Sequence, residues 1–213
     1  MTTKLADLRL DYSLQSLDIT DVAADPFQQF EKWLDDALKS QLLEPNAMIL
    51  ATATPDARPS ARVVLLKGMS TEGFYFYTNY DSRKGAELAA NPQAALCFNW
   101  LDLQRQVRIE GLVKKTSAAQ SDAYFQTRPL KSQIGALASP QSQVIPNRGF
   151  LEENFLKVES NTEGSLERPA HWGGYVLEPT LIEFWQGRRS RLHDRIQYSK
   201  MENGDWKIER LAP

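Results

Sequence analysis

Arginines are crowded near the carboxyl end of the chain, in the run Trp185-Gln-Gly-Arg-Arg-Ser-Arg-Leu-His-Asp-Arg195. The formal net charge of the protein is only −2, so this run makes a local positive field. If it enters a strand, alternation places Arg191, His193 and Arg195 on one face. Two guanidinium groups beside an imidazole can orient a phosphorylated ring and stabilise developing negative charge. A solvated hairpin loop is the alternative interpretation.

Two further cations, Arg62 and Lys67, bracket the apolar segment Val63-Val64-Leu65-Leu66. Both could reach an anionic ligand. Alternation along a strand puts positions 62 and 67 on opposite faces, so one ligand meets both only through a bulge, a strand end or a second ligand. A buried strand with charged ends is the alternative.

A third basic site is predicted at a helix start, where Ser82 can cap a helix whose first residues are Arg83 and Lys84. Cations are unfavourable at a helix N-terminus because the helix dipole opposes them. Two cations there are explained by a phosphate, which backbone amides and cations would bind together. A solvated basic turn is the alternative.

Donors also converge where the next predicted helix ends. Tyr124 and Arg128 are four residues apart on one helix face, Pro129 ends the helix, and Ser132 follows. This set could bind a second phosphate, or it could be a structural cap network. On a separate strand, the amide of Gln106 could hydrogen-bond the edge of a heterocycle, with an exposed polar face as the alternative.

The elements that position these residues indicate an α+β protein. Asp25 and Pro26 start an amphipathic helix, and residues 117–160 have helical texture broken at three prolines. Short turn-bounded strands predict a small antiparallel β-barrel with peripheral helices. Residues 1–24 are expected to form a mobile arm and residues 25–213 a single domain. The predicted strands lie at 48–52, 61–66, 74–78, 94–100, 106–113, 174–177, 182–185, 194–199 and 206–210.

Composition excludes several classes of protein. A net charge of −2 gives no global attraction to nucleic acid or to an anionic membrane. The single Cys97 forbids an intramolecular disulfide, and one cysteine with two histidines argues against a metal site. No window approaches the about 20 apolar residues of a membrane span, so a cytoplasmic protein is expected.

In this order the motifs resemble the pyridoxamine 5′-phosphate oxidase family. The resemblance covers nearly everything after residue 25, and it implies a split-barrel flavoprotein that is a homodimer with FMN at the subunit interface. The motifs are Arg62-Val-Val-Leu-Leu-Lys67, Tyr77-Thr-Asn79, Ser82-Arg-Lys84, Arg105-Gln-Val107, Tyr124-Phe-Gln-Thr-Arg-Pro129, Ser132-Gln-Ile-Gly135, Gln141-Ser142, Trp172-Gly-Gly174, Phe184-Trp-Gln-Gly187 and Arg191-Leu-His-Asp-Arg195.

The resemblance also implies residue roles. Catalysis would use Arg191, His193 and Arg195. The FMN contacts would be Arg62, Val63, Val64, Leu65, Leu66, Lys67, Tyr77, Thr78, Arg83, Lys84, Gln106, Gln141, Ser142, Trp185 and Arg195. The substrate contacts would be Lys67, Tyr124, Arg128, Ser132, Arg191, Leu192 and His193, with Arg9 and Tyr12 from the N-terminal arm.

The activity that the resemblance implies is oxidation of pyridoxamine 5′-phosphate and pyridoxine 5′-phosphate to pyridoxal 5′-phosphate. Hydride would pass from C4′ to FMN N5, and O2 would be reduced to H2O2. Two alternatives stay open at this point. One is another split-barrel FMN reductase, and the other is a non-catalytic module that binds FMN or pyridoxal phosphate.

Overall fold

The computed structural model describes residues 4–5, 8 and 11–213. By packing, the chain falls into two compact units. The first comprises Met1–Ile49, Ala95–Glu110 and Pro179–Pro213, and the second comprises Leu50–Ala94 and Gly111–Glu178. None of the helices in the described part of the chain combines the length and apolar character that crossing a membrane requires.

Five α-helices and nine β-strands in the described residues confirm the predicted α+β class. The helices are α1 Pro26–Lys39, α2 Arg83–Ala90, α3 Ala118–Thr127, α4 Leu130–Ala138 and α5 Arg148–Ser160. The strands are β1 Ala47–Ala53, β2 Pro59–Leu65, β3 Gly68–Ser70, β4 Gly73–Asn79, β5 Gln93–Trp100, β6 Arg105–Lys115, β7 Trp172–Gln186, β8 Asp194–Lys200 and β9 Trp206–Leu211. They form one sheet in the order β2-β1-β5-β6-β7-β4-β3, with β8 between β7 and β9.

In the first unit, helix α1 forms as its sequence predicts. The side chain of Asp25 caps its first turn, and Pro26 is its first residue. The apolar face is buried: the ring of Phe30 lies 4.9 Å from that of Phe98, and Trp33 lies 5.2 Å from Phe184, both edge to face. Such pairs add about 0.5–1.5 kcal/mol each beyond burial of their area.

In the second unit, β4 and β7 pair antiparallel, with Tyr77 opposite Gly174. A Cβ atom at Gly174 would come within 2.7 Å of the Tyr77 ring, and one at Gly173 within 2.1 Å of the Tyr80 hydroxyl. Both are closer than real Cβ contacts, so only glycine lets these tyrosine rings lie against the strand. This explains two positions of the Trp172-Gly-Gly174 motif.

Strand β7 corrects one prediction, because it is a single strand of 15 residues where the sequence indicates two. Its stretch 172–177 pairs with β4 and its stretch 181–186 pairs with β8. Pro179 falls between the two stretches, so its missing N–H group interrupts neither of these ladders. The proline therefore looks like a strand break in the sequence without being one.

Candidate active site

The second unit contains a cavity of about 630 Å³ with an unusual charge distribution. Three cations line it, Lys67, Lys84 and Arg128, and its described lining includes no carboxylate. Eleven of its lining residues belong to the set that the sequence predicts for cofactor or substrate. The lining consists of Val63, Val64, Leu65, Lys67, Tyr77, Thr78, Asn79, Lys84, Tyr124, Thr127, Arg128, Pro129, Ser132, Gln141 and Trp172.

Arg128 is the cation of this cavity that most needs an anion. It follows the last turn of α3 in extended conformation, with φ −75° and ψ 145°, and Pro129 follows it. Its Nη1 atom is buried and has no hydrogen-bond partner in the described part of the chain. Burial lowers the pKa of the guanidinium, and the nearby Tyr124 phenol opposes that shift. A partly buried cation without a counter-ion costs free energy that a bound phosphate would offset.

Aromatic rings form one wall of the cavity. Tyr77 and Tyr124 stack with centroids 3.8 Å apart, and the plane of Trp172 is within 5° of that of Tyr124. The Cζ atom of Arg128 lies 4.5 Å from the Trp172 ring centroid. Burial raises the pKa of the Tyr124 hydroxyl. This hydroxyl is therefore a proton donor at neutral pH, as an anionic ligand requires.

Lys84 lies in the first turn of α2, whose N-terminus Ser82 caps as predicted. Its Nζ atom donates to Thr78 Oγ1 at 3.1 Å, to Ser82 Oγ at 3.2 Å and to Gln141 Oε1 at 3.2 Å. These acceptors are neutral, and the lysine is buried. Burial, followed by the charge of Arg62, lowers its pKa. The ammonium charge is thus available to bind an anionic group, in addition to the one that Arg128 would bind.

Arg62 and Arg83, which the sequence assigns to the same phosphate as Lys84, meet instead at Glu87. This buried carboxylate accepts from Arg62 Nη2 at 3.1 Å and from Arg83 Nε at 2.8 Å. Burial alone would raise its pKa, but hydrogen bonds from Ser60, Thr52, Arg83 and Arg62 lower it to about 2. Glu87 was not among the predicted site residues, although its spacing of four residues from Arg83 on one helix was an available signal.

The remaining predicted cofactor residues of this unit lie outside the cavity lining. Leu66 is 6% exposed and belongs to the core. Ser142 is exposed in the loop after α4 and has a left-handed backbone with φ 72°. Their roles toward a cofactor stay predictions.

In the first unit, the strand predicted at 194–199 is confirmed, but it does not extend back to Arg191. Residues Arg189–Arg191 form a 3₁₀ turn, and β8 begins only at Asp194. Ser190 and Arg191 have φ values of 55° and 61°, a left-handed conformation that cannot continue a strand. Arg191 and His193 therefore precede the strand, and alternation does not place them on one face with Arg195. Leu192, within the same turn, is 69% exposed.

The ring of His193 is nevertheless held in a defined orientation. Its Nδ1 atom accepts the backbone N–H of Arg188 at 3.1 Å, so the proton of the neutral ring is on Nε2. Trp185 lies 4.6 Å away and Tyr12 5.8 Å away, measured between ring centroids. Burial, followed by the charge of Arg191, lowers the pKa of His193, and Asp194 opposes the shift.

Two small clefts of this unit collect the other predicted residues. One, of about 420 Å³, brings Tyr12 together with Arg191 and His193. Another, of about 310 Å³, brings Tyr12 together with Gln106 and Trp185. Arg9, predicted to contact substrate from the same arm, lies outside the described residues.

Arg195 is oriented by a buried acid, Glu183, that was not among the predicted site residues. Glu183 Oε1 accepts from Arg195 Nε at 2.9 Å, and Glu183 Oε2 accepts from Arg195 Nη2 at 3.0 Å. The same carboxylate also pairs with Arg108. Arg195 Nη1 donates to the backbone oxygen of Ala212 at 2.8 Å. Alternation along β7 gave no sign that Glu183 points inward beside a cation.

Comparison with known proteins places this geometry in a family. Residues 34–161 match the model of the pyridoxamine 5′-phosphate oxidase family, and residues 172–213 match that of the pyridoxine 5′-phosphate oxidase C-terminal dimerisation region. A pyridoxine/pyridoxamine 5′-phosphate oxidase from Cupriavidus necator is 57% identical over 99% of this chain and 100% of its own length. One from Methylibium petroleiphilum is 57% identical over 100% of both chains.

Solved structures agree. PhzG from Burkholderia lata, in complex with tetrahydrophenazine-1-carboxylic acid, has a TM-score of 0.89 and 32% identity, covering 94% of this chain and 100% of that one. A pyridoxamine 5′-phosphate oxidase-related, FMN-binding protein from Nostoc punctiforme has a TM-score of 0.73 and 18% identity, covering 90% of this chain and all of that one, and it supports the fold alone. The predicted split-barrel fold is thus confirmed, and the chain belongs to the pyridoxamine 5′-phosphate oxidase family.

Proposed function

We propose that this protein is an FMN-dependent oxidase that converts pyridoxamine 5′-phosphate and pyridoxine 5′-phosphate to pyridoxal 5′-phosphate. The observation that carries the proposal is Arg128, a guanidinium with an unpartnered buried nitrogen in a cavity whose described lining has no carboxylate. Full-length relatives named for this activity are 54–57% identical to the chain. The protein acts as a homodimer, in keeping with its match to the family's dimerisation region.

The cofactor is FMN, and the cavity suits its phosphate. Lys84, with neutral acceptors around its Nζ atom, would bind that group together with the hydroxyl of Thr78. Arg62 and Arg83, anchored by Glu87, add positive charge at the same helix start. When bound, FMN supplies the hydride acceptor, and O2 is the final electron acceptor.

The substrate phosphate is bound by a second set of donors. Arg128 and Lys67 supply charge, and the hydroxyls of Tyr124 and Ser132 supply hydrogen bonds. This set fixes the substrate at one end, so the carbon that loses hydride is held in place. Such fixed orientation lowers the activation barrier by about 7–11 kcal/mol in favourable cases.

The turn at residues 189–193 would act on the substrate ring. His193 carries its proton on Nε2 and can donate it to the 3-oxygen of the ring. Arg191 would help His193 to hold the ring, and Arg195 would stabilise the negative charge that the bound cofactor would gain on accepting hydride. With the amine substrate, loss of hydride and a proton gives an imine, and water converts the imine to the aldehyde and ammonia. The two electrons reduce O2 to H2O2.

A second candidate function comes from the likeness to PhzG, whose crystal structure contains a tetrahydrophenazine carboxylic acid. Oxidation of the reduced ring of such a carboxylic acid would use the same cofactor. The two activities differ in the anion that Arg128 would bind, because a phosphate monoester carries more charge and more acceptor oxygens than a carboxylate.

One experiment separates these functions. The purified protein is examined for flavin absorbance and then given pyridoxine 5′-phosphate or tetrahydrophenazine-1-carboxylic acid in air, while H2O2 is followed. We expect a flavin spectrum and H2O2 with the phosphate ester, and loss of most of that activity in Arg128→Met. Lys131→Met removes an exposed cation outside the cavity lining and is the matched control. Peroxide with the carboxylate alone would overturn the proposal, as would the absence of flavin.

A further inference from the structure

We propose that Trp172 is a positioning residue that fixes Arg128 for a phosphate group and so makes the site select phosphorylated substrates. The inference rests on the proposed function, because it takes Arg128 as the phosphate ligand. Sequence motifs single out Trp172 without giving it a role, and the two glycines after it are already explained by the packing of Tyr77 and Tyr80.

The indole is itself held rigidly. Trp172 is 6% exposed, and it pairs with Asn79 in the β4–β7 ladder. Its backbone N–H donates to Pro169 O at 3.0 Å, and its carbonyl accepts from Arg168 Nη1 at 2.5 Å. Because both backbone polar groups of Trp172 are hydrogen-bonded and its side chain is buried, the indole provides a fixed surface for the guanidinium that lies over it.

The contact with Arg128 differs in kind from the other arginine contacts in this region. Arg62 and Arg83 pair with the carboxylate of Glu87, which neutralises part of their charge. Arg128 lies over the Trp172 ring, with its Cζ atom 4.5 Å from the centroid, and the described lining of its cavity includes no carboxylate. An aromatic face orients a guanidinium through its quadrupole and leaves its N–H groups and net charge free.

A specificity role follows from this difference. A fixed, un-neutralised guanidinium favours a dianionic phosphate strongly, whereas a neutral hydroxymethyl group gains little from it. Without the ring, Arg128 would sample more rotamers, and part of the binding free energy would go into ordering it. Loss of Trp172 should therefore weaken binding of a phosphorylated ligand and leave binding of its unphosphorylated counterpart nearly unchanged.

The test measures equilibrium affinity of the holoenzyme for pyridoxal 5′-phosphate and for pyridoxal, by calorimetry, in the wild type and three variants. Trp172→Leu removes the aromatic face, Trp172→Phe retains a smaller one, and Trp206→Leu is the control, since that ring also lies near a cation, Lys200. We expect Trp172→Leu to weaken pyridoxal 5′-phosphate binding about 3- to 30-fold, with pyridoxal changed less than about 2-fold. Trp172→Phe should be intermediate and Trp206→Leu unchanged.

Coupling to Arg128 provides the second readout. In an Arg128→Met background, Trp172→Leu should cause no further loss of pyridoxal 5′-phosphate affinity, because the residue it positions is gone. Equal weakening of both ligands, or additive losses in the double variant, would overturn the inference. If Trp172→Leu does not fold, Trp172→Phe takes its place as the test variant. A ratio of pyridoxal 5′-phosphate affinity to pyridoxal affinity equal to that of the wild type would then overturn the inference.

The outcome is separable from that of the proposed function. A wild-type protein that binds pyridoxal 5′-phosphate in preference to pyridoxal but does not oxidise pyridoxine 5′-phosphate would contradict the oxidase proposal and leave the role of Trp172 measurable. An active wild-type oxidase in which Trp172→Leu keeps the full preference for the phosphorylated ligand would contradict the role of Trp172 alone.

Discussion

The phenol rings of Tyr77 and Tyr124 stack with their centroids 3.8 Å apart and their planes 17° apart. The family resemblance assigns Tyr77 to the cofactor and Tyr124 to the substrate, so the stack joins the two predicted groups of residues inside one cavity. Tyr77 comes from β4 and Tyr124 from α3, which are far apart in sequence. Substitution of Tyr77 should therefore also change substrate binding, and substitution of Tyr124 should also change cofactor binding.

Tyr124 allows stacking and hydrogen bonding to be separated. Tyr124→Phe keeps the ring and removes the hydroxyl, so we expect KM for pyridoxine 5′-phosphate to rise about 3- to 10-fold with FMN affinity unchanged. Tyr124→Ala also removes the stack and should weaken FMN binding as well, by about 2- to 10-fold. Steady-state kinetics and flavin fluorescence titration measure the two effects. Equal FMN affinity in both variants would show that the stack does not reach the cofactor.

Lys84 and Arg83 should contribute unequally to cofactor binding. The ammonium of Lys84 is buried among neutral acceptors, whereas Arg83 is exposed and already paired with Glu87. Loss of a charged hydrogen bond costs about 1.5–3 kcal/mol, so Lys84→Met should weaken FMN about 10- to 150-fold. Arg83→Ala should weaken it less than about 5-fold. FMN titration of the apoprotein gives both constants, and a larger effect at Arg83 would contradict the assignment.

Glu87 should make stability depend on acid pH. Its pKa is about 2 in the folded protein against an ordinary value of 4.5, so the unfolded state binds the proton more readily. The resulting stabilisation, about 3 kcal/mol, is present above pH 4.5 and is lost as pH falls toward 2. Chemical denaturation at pH 7 should show Glu87→Gln destabilised by about this amount, with the gap to wild type narrowing below pH 4.5. Glu163→Gln, at an exposed position, is the control and should match wild type at both pH values.

His193 should remain neutral at physiological pH. Its pKa lies below the ordinary 6.5, so the folded state resists protonation that the unfolded state accepts. Stability contributed by the neutral ring is therefore lost as pH falls through 6.5. NMR titration of the imidazole should give a pKa under 6.5, with the Arg188 amide signal shifting in the same step because it donates to Nδ1. A pKa above 6.5 would contradict this prediction.

Inorganic phosphate should compete with substrate for the cavity. Lys67 and Arg128 present their charges there without a carboxylate in the described lining, and phosphate resembles the substrate's anionic group. We expect phosphate to raise the apparent KM for pyridoxine 5′-phosphate and to leave kcat unchanged. Sodium chloride at equal ionic strength controls for screening, which acts on exposed charges. Equal inhibition by both salts would argue against a specific phosphate site.

Local signals in the sequence predicted the elements and several caps. Asp25 and Ser82 cap their helices as their residue types indicate, and prolines separate α3, α4 and α5. Tyr124, Arg128 and Ser132 were predicted from their spacing to converge, and they do line one cavity. These features depend on neighbours within one turn of helix, so the sequence contains the information they need.

Features that depend on distant parts of the chain were not predictable in this way. The packing of Trp172 over Arg128 and of Glu183 beside Arg195 requires knowing which strands pair. The left-handed turn at Ser190 and Arg191 has no glycine or asparagine to mark it, so the sequence left both a strand and a hairpin loop open at Arg191. The two short strands predicted at 174–177 and 182–185 are one strand for the same reason, because a tolerated proline such as Pro179 and a strand-ending proline look alike before the ladder is known.

The left-handed backbone at Ser190 and Arg191 has an evolutionary consequence. Two adjacent residues with side chains hold φ values near 60°, a conformation that costs about 1–2 kcal/mol per residue outside glycine and asparagine. A laboratory selection for heat resistance should therefore accumulate Ser190→Gly or Ser190→Asn early. Arg191 should resist such drift if it works on the substrate, and so the two halves of one strained turn would evolve at different rates.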